Sequence, residues 1–169
     1  RVCCITAVKP AIEMKQLYPT ADVYCFYMDL RMFGRYYEDF YHDAQSKYGV
    51  TFVRGRLSEA GEDHDNNLVL KAEDTLIGKP LKVTVDMLVL MTGMEAQADT
   101  TELCACMNLE QADDRFILPA DAYIHNNCTH QKGVFVAGTC TSPKNIPETL
   151  ADARSAVAAI EDYLFTYLD

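Results

Sequence analysis

The chain has 169 residues, 49% of them apolar, and is therefore long enough to bury the core of one or two small domains. It has 15 Lys and Arg residues against 25 Asp and Glu residues, and this net charge of −10 without a basic run disfavours nucleic acid and anionic membranes as partners. No apolar run approaches the roughly 20 residues that a membrane-spanning helix needs, so no direct membrane insertion is expected. Seven cysteines in no disulfide-like spacing favour a reducing compartment, and we predict a cytoplasmic location.

Helices and strands are predicted to alternate in the first third of the chain. Apolar residues at near-helical spacing predict a helix over residues 6–18, and an aromatic and β-branched run predicts a buried strand over residues 22–29. A second helix is expected over residues 33–48, ended by Gly49, and a second strand over residues 49–57. Such alternation favours a mainly parallel sheet with helices packed on its faces, so the predicted fold class is α/β.

The middle of the chain has strand-like runs without helices between them. The acidic stretch EAGEDHDNN, residues 59–67, is interpreted as a solvated turn. Three strand-like runs follow, at residues 67–74, 80–86 and 87–93. Together they predict a small β-meander after the α/β part.

The last part of the chain predicts two helices and one isolated strand. A short helix is expected over residues 95–109, an extended connection over 113–128 and an apolar strand over KGVFVAG, residues 132–138. The closing helix is predicted over residues 147–168, and its many alanines would let it lie close on a sheet. Its apolar residues step by three and four positions: Leu150, Ala153, Val157, Ile160 and Leu164. We expect this strand and helix to belong to a different sheet from the first half of the chain.

The segment GVFVAGTCTSPKNIPETLADARSA is the most informative for chemistry. It predicts a strand, a glycine turn and a loop before the closing helix, whose N-terminus would lie above the end of the strand. Pro147 suits the first helical position, which leaves Ile146 near the cap, and Ile has no side-chain oxygen to accept from the first backbone N–H groups. These donors are expected to be free for a ligand oxygen such as a flavin carbonyl or a phosphate. The alternative is an uncapped helix that faces water.

Five blocks of the chain, in this order and at these separations, resemble HdrA, the flavoprotein subunit of heterodisulfide reductases, and its quinone-modifying oxidoreductase relatives. They are RVCCITAVKPA, YCFYMDLRMFGRYYEDFY, GVTFVRGR, VLMTGM and GVFVAGTCTSPKNIPETLADA. Such proteins are similar to thioredoxin reductases, in which an inserted NAD-type domain interrupts an FAD domain. The resemblance implies that residues 1–93 are part of this inserted domain and that residues 94–169 are the return segment completing the FAD-binding domain. It also implies that the chain, which opens at RVCC, is part of a longer protein.

The resemblance implies an iron–sulfur cluster at the adjacent thiols. In the family, cysteines that include a Cys-Ser-x-x-Cys-Cys run hold the cluster, and Cys3 and Cys4 match its last two positions. The other ligands of a [4Fe–4S] cluster would lie outside this chain, so the cluster is expected only in the complete protein. From the residues alone, two adjacent cysteines are more often ordinary buried thiols.

The same resemblance implies contacts with FAD. Lys9 matches a lysine near the reactive edge of the flavin, where an ammonium would stabilise the reduced, anionic flavin; the alternative is a solvated lysine facing Glu13. Thr139 departs from the thioredoxin-reductase pattern, which has Asp there, although a hydroxyl can still hydrogen-bond the ribityl chain. Cys140 is either a reactive thiol at the flavin or a small residue that fills the turn. The residues expected to bind FAD are Gly138, Thr139, Cys140, Ile146, Pro147, Glu148 and Thr149. They form only one wall of a pocket, so FAD is expected in the complete protein rather than in this chain alone.

Three functions are compatible with these features. The first is an oxidoreductase, namely an FAD and iron–sulfur electron-transfer flavoprotein of the heterodisulfide reductase type. Its partners would be other subunits of a redox complex, and a homodimer is also compatible with the sequence. The second is a pyridine-nucleotide:disulfide oxidoreductase, although the chain has no Cys-x-x-Cys pair. The third is a non-catalytic docking domain whose acidic surface recruits another protein of such a complex. The thiols Cys25, Cys104 and Cys106 are interpreted as core residues.

Overall fold

The computed structural model describes the backbone of residues 1–168 and the side chains of residues 1–166. It divides into two compact units, Arg1–Thr92 and a second unit that begins at Gly93. None of the helices in the described part of the chain is both long and apolar enough to cross a membrane.

The first unit starts with the predicted alternation of helix and strand. Its first elements are helix α1 (Val2–Leu17), strand β1 (Tyr24–Tyr27), helix α2 (Tyr37–Ser46) and strand β2 (Thr51–Arg54). β1 and β2 pair in parallel, with Tyr24 opposite Thr51, as the alternation predicts. Helix α2 begins four residues later than expected because Gly34 and Tyr36 have φ values of +123° and +70°, which a right-handed helix does not allow.

A core forms where α1 and α2 pack beside the parallel strands. Helix α1 contributes Val8, Ala11 and Ile12, whose spacing of three and four residues places them on one face. They meet Ala44 of α2 and Val50, which directly precedes β2. Edge-to-face contacts of Phe52 with Tyr41 and Tyr27 extend this core along the strands.

A three-stranded antiparallel meander completes the first unit. Its strands are β3 (Leu57–Glu62), β4 (Leu68–Asp74) and β5 (Lys79–Val85), in the order β3-β4-β5. The predicted turn over 59–67 is wrong for its first four residues, which belong to β3. The turn itself is closed by Asp63, whose Oδ1 accepts the backbone N–H groups of Asp65 and Asn67 at 2.9 Å each. The predicted α/β class and the β-meander are confirmed, with two strands in the parallel sheet and three in the meander.

The strand expected over residues 87–93 does not form. These residues have no regular structure, and Met87 and Leu90 are 72% and 71% exposed. A strand requires a neighbour to accept and donate its backbone hydrogen bonds, and the described chain pairs β5 on one side only, with β4. The apolar composition of 87–93 was therefore insufficient to predict a strand.

The second unit contains two helices joined by a long, irregular connection. Helix α3 (Thr100–Met107) is shorter than the expected 95–109 and is followed by Asn108 at φ +51°. The strand expected over 132–138 is wrong, because Phe135 forms only an isolated bridge with Cys128 and a short 3-10 turn follows at Gly138–Cys140. The closing helix, α4 (Ile146–Leu168), is confirmed within one residue at its start. A small core of Cys104, Ile117 and Val136 lies between these segments.

Helix α4 is buried along a different face from its apolar stripe. Leu150, Val157 and Leu164 are 55%, 65% and 45% exposed. Asp152 and Ala156, one turn apart, are instead only 7% and 6% exposed. The apolar stripe of α4 therefore has no packing partner within the described part of the chain.

Partial burial in β1 raises the pKa of the Cys25 thiol. It raises the pKa of Cys25 from its ordinary value of 9.0 to about 11, so the thiolate fraction at pH 8 falls about a hundredfold. We predict that iodoacetamide labels Cys25 about 100-fold more slowly in folded than in urea-unfolded protein, as measured by mass spectrometry of the Cys25 peptide. Labelling should accelerate as the pH rises from 9 to 11. Equal rates in folded and unfolded protein at pH 8 would contradict the burial of this thiol.

Candidate cofactor-binding site

The predicted FAD-binding loop is a glycine turn followed by a helix. Gly138 has φ +80°, a conformation that residues with a Cβ rarely adopt. Its backbone is buried, and a Cβ at this position would lie 3.5 Å from Cγ2 of Thr149 in α4. Glycine therefore lets the chain pass close to the start of α4 in a turn that other residues would strain.

The expectation of an uncapped helix is wrong, because Asn145 caps α4. Oδ1 of Asn145 accepts the backbone N–H of Glu148 at 2.9 Å, and Oε2 of Glu148 accepts the backbone N–H of Asn145 at 2.9 Å. This reciprocal pair is a capping box, and it places Ile146 at the first helical position and Pro147 at the second. The signal was present in the sequence as Asn145-Ile-Pro-Glu148, an Asn followed three residues later by Glu.

The cap changes what the helix start can offer a ligand. The backbone N–H of Glu148 goes to the Asn145 side chain, and that of Thr149 goes to the Asn145 carbonyl at 2.9 Å. These two donors are therefore not free for a flavin oxygen, contrary to the expectation. The helix start still offers a ligand the exposed apolar side chains of Ile146 and Leu150. These two side chains share one helix face because they are four residues apart.

A buried ion pair, which the sequence analysis missed, lies beneath the turn. Nζ of Lys144 is 3.4 Å from Oδ2 of Asp152, and the two side chains are only 16% and 6% exposed. Oδ2 of Asp152 also accepts the backbone N–H of Gly138 at 2.6 Å. Lys144 donates to the Gly138 carbonyl at 2.7 Å and to Oγ1 of Thr141 at 2.5 Å. The turn is thus attached to α4 through both charged groups.

Asn127 joins the same network from the preceding connection. Its Nδ2 donates to the Val136 carbonyl and to Oδ1 of Asp152, both at 3.0 Å. Asn127 is 2% exposed, and its Oδ1 has no hydrogen-bond partner among the described residues. An amide in this position links the segment before the turn to the carboxylate beneath it. No pattern in the sequence marked Asn127, because its partners lie 9 and 25 residues away.

An open pocket of about 460 Å³ lies beside this network. Lys144, Glu148 and Asp152 contribute its charged groups, and Asn126 and Ser142 add polar side chains. The pocket therefore adjoins the capped helix start as well as the buried ion pair.

Cys140 points back into its own turn. Its Sγ lies 3.3 Å from the Ala137 carbonyl, and its side chain packs against the core that contains Cys104. Burial, followed by the neighbouring Cys140, raises the pKa of Cys104. This packing agrees with Cys140 as a residue that fills the turn. Cys106, expected in the core, is exposed because it lies on the opposite side of α3 from Cys104.

Lys9 lies in the first unit on the exposed side of α1. Its side chain is 70% exposed, and its Nζ is 3.8 Å from Oε1 of Glu13, one turn along the helix. This is the geometry of a solvated pair, the alternative to a contact with the flavin. The catalytic role of Lys9 stays a prediction.

Cys3 and Cys4 lie in the first turn of α1. Both thiols are free and half-buried, and Sγ of Cys4 is 3.8 Å from the Asp29 carbonyl. Among the residues whose side chains are described, no group of three or more His, Cys, Asp or Glu side chains could hold a metal. Since a [4Fe–4S] cluster takes four ligands, these residues do not complete such a site.

Comparison with known proteins defines the class of protein. The chain belongs to the family described as pyridine nucleotide-disulphide oxidoreductase, which it matches over residues 7–157. Thioredoxin reductase from T. acidophilum shares its fold, with a TM-score of 0.65 at 16% identity over 94% of this chain and 49% of that one. The thioredoxin reductase of Lactococcus lactis gives the same TM-score over 95% of this chain and 50% of that one.

Curated relatives of the chain include A subunits of heterodisulfide reductases. The chain is 39% identical over 95% of its length to the A subunit of the H(2)/formate:CoB-CoM heterodisulfide,ferredoxin reductase of Methanococcus maripaludis. It is 39% identical over 94% of its length to an iron-sulfur A subunit of the CoB–CoM heterodisulfide reductase of Methanopyrus kandleri. The predicted resemblance to HdrA is therefore confirmed. The chain spans 24% of the length of each of these relatives.

The residues around Gly138 fit one wall of a flavin site. Only a residue without a Cβ avoids strain at Gly138, where the backbone turns beside α4. Thr139 is exposed next to it, and Ile146 and Leu150 offer exposed apolar surface at the helix start. Small residues, a hydroxyl and apolar side chains suit the ribityl chain and the ring of a flavin.

Proposed function

We propose that this chain belongs to an FAD-dependent electron-transfer subunit of a heterodisulfide reductase-type complex. The observation that carries the proposal is the 39% identity to an HdrA relative, which extends over 95% of the chain. When bound, the flavin supplies the electron-transfer chemistry, and the protein binds and orients it. The proposed partners are other subunits of a cytoplasmic redox complex.

The two units take different proposed roles. We infer that residues 1–93 are part of an inserted, NAD-domain-like domain and that residues 94–169 complete the FAD-binding domain. The exposed stripe of Leu150, Val157 and Leu164 supports the second assignment, because an apolar helix face of this kind requires a packing partner. In the complete protein, the rest of the FAD-binding domain would provide it.

The flavin contacts proposed for this chain lie at the turn and the helix start. Gly138 and Thr139 would lie against the ribityl or phosphate portion of FAD, with Ile146 and Pro147 beside the ring. Because Glu148 and Thr149 use their N–H groups in the cap, they would contribute side-chain surface instead. Lys9, with its ammonium exposed, would stabilise the anionic reduced flavin.

A [4Fe–4S] cluster at Cys3 and Cys4 is the second part of the proposal. Because no group of three or more possible ligand side chains occurs among the described residues, the remaining ligands would come from the longer protein. One relative, that of Methanopyrus kandleri, is named an iron-sulfur protein. This chain alone should therefore contain no stoichiometric iron after anaerobic reconstitution.

The experiment is the anaerobic purification of the complete protein, followed by absorption spectroscopy and by flavin and iron analysis. We expect both flavin and iron in wild-type protein. The Cys3→Ser and Cys4→Ser variants should lose iron but keep FAD, whereas Cys106→Ser, a change at an exposed thiol, should keep both. A protein without flavin would overturn the proposal. Flavin without iron, together with reduction by NAD(P)H, would instead identify a pyridine-nucleotide:disulfide oxidoreductase.

A further inference from the structure

The peptide groups on both sides of Gly138 are held by charged side chains. Its N–H donates to Oδ2 of Asp152 at 2.6 Å, and its carbonyl accepts from Nζ of Lys144 at 2.7 Å. Hydrogen bonds in which one partner is ionised are shorter and about twice as strong as neutral ones. These two hydrogen bonds therefore hold the turn at Gly138, where the φ of +80° reverses the path of the backbone.

The two holding groups also fix each other. Lys144 Nζ lies within 3.4 Å of Asp152 Oδ2, and it donates a further hydrogen bond to Thr141, so three acceptors surround its three donors. Asp152 has its other oxygen, Oδ1, bonded to Asn127. Buried charges are costly to leave unpaired, so the side chains of Lys144 and Asp152 have little freedom to take other arrangements.

This fixation determines where the next backbone donor points. The peptide that joins Gly138 to Thr139 is planar and trans, since the described chain has no cis peptide bond. In a trans peptide the N–H points away from the carbonyl of the same plane. Because Lys144 holds the Gly138 carbonyl, the N–H of Thr139 points away from Lys144. The Thr139 residue that carries this N–H is exposed.

We propose that Lys144 and Asp152 are positioning residues that hold the Gly138–Thr139 peptide so that the Thr139 N–H donates to an oxygen of FAD. This inference rests on the proposed FAD site and adds to it the residues that orient the site. The ion pair acts through the backbone and does not touch the cofactor.

The test is the double variant Lys144→Met/Asp152→Asn in the complete protein. Changing both residues removes the two charges together, so neither is left buried without its partner. The matched control is Lys71→Met/Glu59→Gln, which removes an ion pair of 2.9 Å whose side chains are 50% and 61% exposed in the meander. Asp152→Glu is a second variant, because it keeps the charge but moves the carboxylate by one methylene.

Three measurements separate positioning from mere stability: the FAD dissociation constant, the visible circular dichroism of bound FAD, and hydrogen exchange of the peptide containing Gly138. We expect at least tenfold weaker FAD binding, a changed flavin spectrum and faster exchange in the double variant, and a smaller loss of binding in Asp152→Glu. The control should match wild type in all three. Wild-type affinity and an unchanged flavin spectrum in the double variant would overturn the inference, whatever the exchange rates. Absence of FAD from wild-type protein would overturn the proposed function and this inference together, and is thus distinguishable from failure of the inference alone.

Discussion

The Gly138→Ala variant is expected to bind FAD on the order of tenfold more weakly than wild-type protein, and Gly138→Val more weakly still. At φ +80° a Cβ strains the backbone by about 1 to 3 kcal/mol. The new methyl group would point towards α4, 3.5 Å from Thr149 Cγ2, which is an ordinary van der Waals contact. Backbone strain, rather than a steric clash, is therefore expected to displace the turn from the proposed cofactor site. The measurement is the flavin released by heat denaturation from equal amounts of each purified variant.

Two controls separate loss of the cofactor contact from general strain. Gly133→Ala introduces a Cβ at φ +78°, 3.4 Å from the Tyr163 hydroxyl oxygen, so it strains the backbone comparably outside the proposed flavin loop. It should therefore lower stability but keep FAD. Cys140→Ser should also keep FAD if that thiol only fills the turn. Normal FAD content in Gly138→Val would remove this loop from the cofactor site.

Gly55→Ala is expected to cause the largest loss of stability in the first unit. Gly55 follows β2, and a Cβ there would lie 1.7 Å from the backbone carbonyl oxygen of Glu73 at the end of β4. Backbone atoms cannot rotate away as a side chain can, so the strands must separate. We expect a cost of about 3 kcal/mol or more, above the usual range for added core volume. Thermal unfolding and hydrogen exchange of the β2 and β4 peptides would measure it.

The matched change is Gly61→Ala in β3. No atom lies within 4 Å of the Cβ that this substitution adds, and no positive φ strains it. Alanine also loses less conformational entropy on folding than glycine, so Gly61→Ala should be neutral or slightly stabilising. If Gly55→Ala unfolded at the same temperature as Gly61→Ala, the close approach of β2 to β4 would be refuted.

Sequence patterns predicted secondary structure best where an element depends mainly on residues within or directly beside it. The near-helical spacing of apolar residues predicted a helix over residues 6–18, because a helix forms its hydrogen bonds within itself, and α1 begins four residues earlier, at Val2. Of the apolar residues behind this prediction, Val8, Ala11 and Ile12 are buried. Met14 and Leu17 are instead 41% and 72% exposed. Strands β1 and β2 were found as compact runs of aromatic and β-branched residues flanked by helices. The capping box at Asn145 and Glu148 was also readable from the sequence, although the interpretation of Pro147 as the first helical residue concealed it.

The same reasoning failed for the apolar runs at 87–93 and 132–138. Both have the composition of strands, but a strand also requires a neighbouring chain to pair with, and composition does not contain that information. In the described chain Phe135 finds only the isolated bridge to Cys128. Pairing is a property of the assembled fold, so these two predictions could not be decided locally.

The amino-acid sequence by itself determined the family, the α/β class, two of the three strands of the meander and the position of the glycine turn before the closing helix, because these depend on residue order and short-range periodicity. Only the tertiary structure decided which face of α4 is buried, since the apolar stripe at Leu150 and Val157 is exposed while Asp152 is enclosed. It likewise decided that Lys144 and Asp152, eight residues apart in sequence, meet beneath Gly138. The physical reason is that a buried charge is stable only where folding brings its partners to it, and those partners come from the turn, the loop and the helix at once.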